Sequence, residues 1–70
     1  MNFYYLLNSS GHYFCGIDQS GNPIWQDSPD VYVFSYSQER LQNYADDAQI
    51  EDATVTQNSG GNNPPPAPPF

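Results

Sequence analysis

Lysine is absent from this 70-residue chain and Arg40 is its one arginine, against eight Asp and Glu, so the formal net charge is −7. Basic side chains are what displace counterions from phosphates, and a chain without them is not equipped to hold DNA, RNA or an anionic membrane directly. Cysteine and histidine are each present once, as Cys15 and His12. One cysteine excludes an intramolecular disulfide, and one of each leaves a structural zinc site short of ligands. No stretch approaches the roughly 18 apolar residues that span a bilayer. The opening "MNFYYLLNSS" has neither a basic region nor a long apolar run, so no secretory leader is expected and a cytoplasmic location is.

Catalytic groups are equally scarce. In a regular strand positions 12 and 15 point to opposite faces, so a Cys–His pair is not expected. Cys15 reads as a small core residue and His12 as part of a turn. Phosphoryl transfer lacks its usual cations, and there is no glycine-rich phosphate loop. "DQSGN" at 18–22 starts like a calcium loop, with Asp18, Ser20 and Asn22 at alternate positions. Pro23 then takes the place of the required glycine and Pro29 that of the closing glutamate, so the pattern fails. Paired carboxylates would need a cleft that so short a chain has little room to build. The expectation is a protein that is not an enzyme and holds neither cofactor nor metal.

Aromatics are what the chain has in quantity: six Tyr, four Phe and one Trp. Large rings give a short chain enough apolar area to offset its ordering entropy. "NSGGNNPPPAPPF", residues 58–70, looks unable to join a core and predicts a disordered Gly/Asn/Pro-rich tail with a polyproline II run. Residues 1–57 remain as a single domain.

Within that domain "NFYYLL" and "HYFCGID" flank the turn chemistry of "NSSG" and predict a β-hairpin. One face would carry Phe3, Tyr5, Leu7, Tyr13, Cys15 and Ile17, and the other Tyr4, Leu6, His12 and Phe14. A second turn at 18–23 leads to a short strand around Trp25, and a strong strand is predicted over 31–36. Ser37 is a helix N-cap with Glu39 in the first turn. Leu41, Tyr44, Ala45 and Ala48 then form one apolar stripe of a helix over 37–48. A last strand is predicted over 50–56. The sum is an α+β domain: a small antiparallel sheet of four to five strands with one helix on one face. The uncovered face would keep aromatics such as Tyr4, Phe14 or Tyr32 for a partner.

"ADDAQIED", residues 45–52, sets Asp46, Asp47, Glu51 and Asp52 close together. Asp46 and Asp47 fall in the last helical turn, where the dipole is already negative and each costs up to about 1 kcal/mol. Asp27, Asp30 and Glu39 add to an acidic second half. A solvated, solubility-giving edge that also blocks strand pairing is one reading. The other is a surface offered to a basic partner, with helix carboxylates ~5–6 Å apart imitating nucleic-acid phosphates and Tyr32 as an anchor.

In its size, its charge and features such as "ADDAQIED", the chain resembles the small acidic phage- or mobile-element-encoded inhibitors of bacterial defence, the anti-CRISPR and anti-restriction proteins. The resemblance implies a DNA mimic that blocks a CRISPR effector or restriction complex in the host cytoplasm. Its partner would be a basic nucleic-acid-binding protein, with no direct contact to nucleic acid or membrane. The alternative is a protein-interaction adaptor that uses the exposed aromatic sheet face or the Pro-rich tail. A minor structural protein that self-associates is a third reading.

Overall fold

The computed structural model describes residues 2–58 and 63–70. Strands Tyr4–Leu7 (β1), Tyr13–Ile17 (β2), Pro23–Gln26 (β3) and Phe34–Ser35 (β4) precede the helix Gln38–Asp47 (α1), and strand Thr54–Gln57 (β5) follows it. All pairings are antiparallel, so the expected α+β class holds. Among the described residues no helix is long and apolar enough to cross a membrane.

The two hairpins, β1–β2 and β2–β3, are closed by the same device. In "NSSGH" the Asn8 side-chain oxygen accepts from the backbone N–H groups of Ser10 and His12, at 3.0 and 2.9 Å. In "DQSGN" the Asp18 carboxylate accepts from Ser20 and Asn22 N–H, both at 2.9 Å. The fourth residue of each turn is a glycine with positive φ, +78° at Gly11 and +86° at Gly21. That is the three-residue hairpin loop whose left-handed position only glycine fills without strain. The calcium-like spacing of "DQSGN" is thus turn chemistry, with Asp18 committed to backbone amides.

β1 occupies the centre of the sheet. Along one edge it pairs with β5 over its full length, from Tyr4 opposite Gln57 to Leu7 opposite Thr54. Its other edge is shared, with β2 beside Leu7 and β4 beside Tyr4 and Tyr5. The ladder is prolonged at one end by Asn58, whose N–H donates to the Phe3 carbonyl at 2.9 Å. The Asn58 side-chain oxygen in turn accepts from the Phe3 N–H at 2.8 Å. Asn58 is buried and belongs to the sheet rather than to a following tail.

The helix begins as its sequence predicts, with the Ser37 hydroxyl accepting from Arg40 N–H at 3.1 Å. It ends without glycine. Ile50 N–H donates to the Ala45 carbonyl and Gln49 N–H to that of Asp46, with Gln49 held at φ +55°. This is a Schellman end in which a side chain occupies the left-handed position. Gln49→Gly is therefore expected to stabilise the fold by roughly 0.5–1 kcal/mol, the left-handed strain relieved less glycine's extra entropy in the unfolded chain. Urea midpoints of the two proteins would check it, and an unchanged or lower midpoint would refute it.

Leu6, Phe14, Leu41 and Ala45 form the buried core under α1, with Tyr4, Trp25, Val33, Tyr44, Ile50 and Val55 packed around them. The helix therefore covers the Tyr4–Leu6–Phe14 face. This corrects the expectation that Tyr4 and Phe14 would be left uncovered: Phe14 is fully buried, between Trp25 and Tyr44. Cys15 is correspondingly no core residue. It lies half-buried, its thiol 3.4 Å from the Tyr13 carbonyl. The expected strand over 31–36 contracts to Phe34–Ser35, although Val33 and Tyr32 still alternate between core and opposite face. The last strand starts at Thr54 because residues 51–52 make a turn, with Asp52 at φ +58°.

The proline-rich segment is a second correction. Of the tail expected to be disordered over 58–70, residues 59–62 lie outside the described residues, but 63–70 pack along the body. Pro65 is buried, Phe70 N–H donates to the Phe34 carbonyl at 2.7 Å, and the Phe70 ring meets Tyr44 at 4.5 Å. Ala67 N–H bonds back to the Pro65 carbonyl, a tight turn that interrupts the polyproline run.

Candidate functional site

The acids fall into separate groups. Glu39 and Asp47 stand two turns apart on α1, about 12 Å along its axis, and border an open groove of about 780 Å³ with Arg40, Asn43, Tyr44 and Phe70. Asp46 lies on the neighbouring row, where its carboxylate accepts from the Gln42 side-chain amide at 3.1 Å. Glu51 follows in the turn leaving the helix. All four are exposed. The helix dipole and the absence of a basic residue in the last turn leave Asp46 and Asp47 in an unfavourable field within the fold.

Asp52 has an internal task. Its carboxylate accepts from both the N–H and the hydroxyl of Ser9, at 3.0 and 2.8 Å, joining the turn after the helix to the β1–β2 turn. These two hydrogen bonds hold its carboxyl below the usual carboxylate range. They also suit the carboxylate to the left-handed turn it closes, so its negative charge has a structural cause for which Asp47 and Glu51 show no counterpart among the described residues.

Asp27 and Asp30 belong to the opposite face. Ser28 and Pro29, between them, border a hollow of about 330 Å³ together with Tyr5, Tyr13 and Tyr32. There the tyrosines meet one another: Tyr5 stacks on Tyr13 at 5.0 Å, and Tyr32 lies 4.8 Å from Tyr13 and 5.4 Å from Tyr5. Burial pushes the Tyr5 hydroxyl above the ordinary phenol value, and Tyr13 and Tyr32 beside it push the same way. Tyr32 is raised chiefly by burial, with Tyr13 adding to it. Tyr5 and Tyr32 therefore stay neutral hydrogen-bonding groups throughout the physiological range.

Of the residues expected to bind a partner, Glu39, Asp46, Asp47 and Glu51 share the helical side. Asp27, Asp30 and Tyr32 share the tyrosine side, and Asp52 is engaged by Ser9. Tyr5 and Tyr13 complete the face that Tyr32 alone represented in the sequence reading. The strand alternation had already set them apart from Tyr4, Leu6 and Phe14, and what it lacked was a signal for which set the helix would cover. Among the described residues, no three His, Cys, Asp or Glu side chains cluster as a metal site would require.

No family model, curated protein or solved structure matches this chain.

Proposed function

We infer that this chain is a non-enzymatic inhibitor that binds a basic nucleic-acid-binding protein, of the CRISPR-effector or restriction-complex kind, in place of nucleic acid. The observation that carries the reading is the exposed set Glu39, Asp46, Asp47 and Glu51 on and just beyond α1, with Arg40 as the helix's one cation. Asp46 and Asp47, held on a rigid element against the helix dipole, cost the fold stability, and of the two Asp46 recovers part of it through the Gln42 amide. A groove built to neutralise phosphates would supply the missing counter-charge. Asp52, exposed beside Glu51, already accepts from Ser9, and Asp27 and Asp30 flank Ser28 and Pro29 beside the tyrosine hollow.

The test is competition with duplex DNA for a purified effector or restriction complex, over a range of salt. The protein is expected to displace DNA most effectively at low ionic strength. Glu39→Gln, Asp46→Asn, Asp47→Asn and Glu51→Gln together are expected to weaken it about tenfold, the combined worth of four exposed ion pairs at ~0.3–0.5 kcal/mol each. Equal competition by the amide variant would assign these carboxylates to solubility.

A second reading is supported by the tyrosine face. Three touching phenols with a polar hollow beside them have the composition of a protein-binding anchor, which fits an adaptor. Tyr32→Ala would abolish binding under that reading, whereas the amide variant would leave it intact.

A further inference from the structure

The segment 63–70 runs across the body from one face of the sheet to the other. Asn63 borders the tyrosine hollow. Ala67 and Pro68 border, across from Cys15, Val31, Val33 and Phe34, one apolar hollow, and Pro69 passes Ser35 and Tyr36. Phe70 reaches the helix, where its ring meets Tyr44 and its N–H is taken by the Phe34 carbonyl. Apolar hollow, aromatic wall and a backbone acceptor are the parts by which grooves recognise proline-rich segments, whose fixed φ angles leave little entropy to lose on docking. The fit is incomplete. A volume of about 290 Å³ stays open beside Pro68, and Val31, Tyr36 and Phe70 remain 50%, 44% and 42% exposed.

We propose that this groove, running from Cys15 of β2 and Val31 past β4 to α1, is a binding site for proline-rich peptides bearing an aromatic residue, and that residues 63–70 occupy it in cis. A partner's segment of the same chemistry takes their place when they lift off. Charge indicates which partner segments win. The groove is bordered on the helix side by Glu39 and Asp47 with Arg40 between them, a rim that stays net negative, and "NNPPPAPPF" contains no lysine or arginine with which to use it. A competing segment flanked by basic residues gains that attraction, while the tethered one has the millimolar effective concentration of an intramolecular ligand. The site shares Glu39 and Asp47 with the acidic surface, but its test turns on the apolar groove and does not depend on the acidic-mimic reading.

Cys15, the chain's one thiol, reports on the groove because it lines the same hollow as Ala67, Pro68 and Phe70. Its alkylation rate would be measured in the full chain, in Phe70→Ala and in Val31→Asp, each with and without the synthetic peptide NPPPAPPF and a version carrying two added lysines. Phe70→Ala is expected to label about tenfold faster, the factor attached to losing an aromatic pair and the area beneath it. Either peptide should slow that variant again with saturation, the lysine version at lower concentration. Val31→Asp should label fast and gain no protection. Labelling of Phe70→Ala at the parent rate would show that the segment does not close the groove. Fast labelling that millimolar peptide leaves unchanged would overturn the peptide site, as would a concentration-dependent dimer whose partner copy supplies the protection. Urea unfolding of each variant separates opening of the groove from loss of the fold.

Discussion

Phe14→Ala is expected to remove about 3–5 kcal/mol of stability, the usual cost of truncating a buried phenylalanine. A chain of this size has on the order of 3–10 kcal/mol in total, so the variant should be largely unfolded in mild denaturant. The effect is large because Phe14 is the ring on which three elements meet. It lies on β2, contacts Trp25 of β3 at 5.6 Å and Tyr44 of α1 at 6.0 Å, and shares the core with Leu6 of β1. Its own backbone carbonyl accepts from Val33 N–H at 3.1 Å, so a shift of β2 would also disturb the approach to β4. Unfolding followed by Trp25 fluorescence in urea measures the loss directly. A midpoint within about 1 kcal/mol of the parent's would mean that the cavity collapses freely and that the helix does not depend on this ring.

Asn58→Ala should give the next largest effect, about 1–3 kcal/mol. It removes the acceptor of the Phe3 N–H and leaves a buried donor without a partner. Phe3 itself is fully buried, and Asn58 is only 7% exposed, so water cannot readily substitute. The Asn58 N–H bond to the Phe3 carbonyl survives the change, because it belongs to the backbone. Asn58→Asp separates the two contributions. It keeps an oxygen for Phe3 but buries a charge, which raises that carboxyl's pKa. Stability should then be lowered at pH 7 and partly recovered as the pH falls and the carboxyl takes up a proton. Equal stability of Asn58→Ala and the parent, with unaltered hydrogen exchange at the Phe3 amide, would remove Asn58 from the fold's supports.

Asn58 also illustrates where sequence reading stopped. As the first residue of "NSGGNN" it has the look of loop chemistry, and its role depends on Phe3, 55 positions away. Asp52 is similar: within "ADDAQIED" it reads as one more surface acid, yet its hydrogen-bond partner is Ser9, 43 positions distant. What depended on near neighbours was legible. Both hairpin turns, the Ser37 cap and the stripe Leu41–Tyr44–Ala45–Ala48 follow from spacings of three or four residues. The end of the helix was harder, because the left-handed position that usually declares itself as glycine is filled by Gln49.

Strand alternation fixed which residues share a face and left open which face the helix would cover. Both sets, Phe3–Tyr5–Tyr13 and Tyr4–Leu6–Phe14, are rich in aromatics, so hydrophobicity alone did not rank them. Leu6 and Phe14 prevail in the structure by packing against Leu41 and Ala45, a match of shapes rather than of composition. The exposure of the acids was foreseeable from their number and the lack of cations. Their division between two sides of the sheet was not, because the loop at 27–30 had no assigned path. Composition misdirected the reading of 63–70, since a proline run excludes regular structure but does not prevent docking on a surface that others have built.

β1 lies between the neighbours that follow it at once and a strand that comes last. During synthesis Tyr4–Leu7 is made before the other four strands, and the hairpin with Tyr13–Ile17 can close early. One long edge of β1 then has no partner until Thr54–Gln57 has been made. Until that moment the molecule is a nascent ribbon with an open side, and each ribosome along a message carries another of the same sequence. The acids that accumulate from Asp27 onward charge these unfinished chains with one sign, and like-charged neighbours are slow to pair edge to edge.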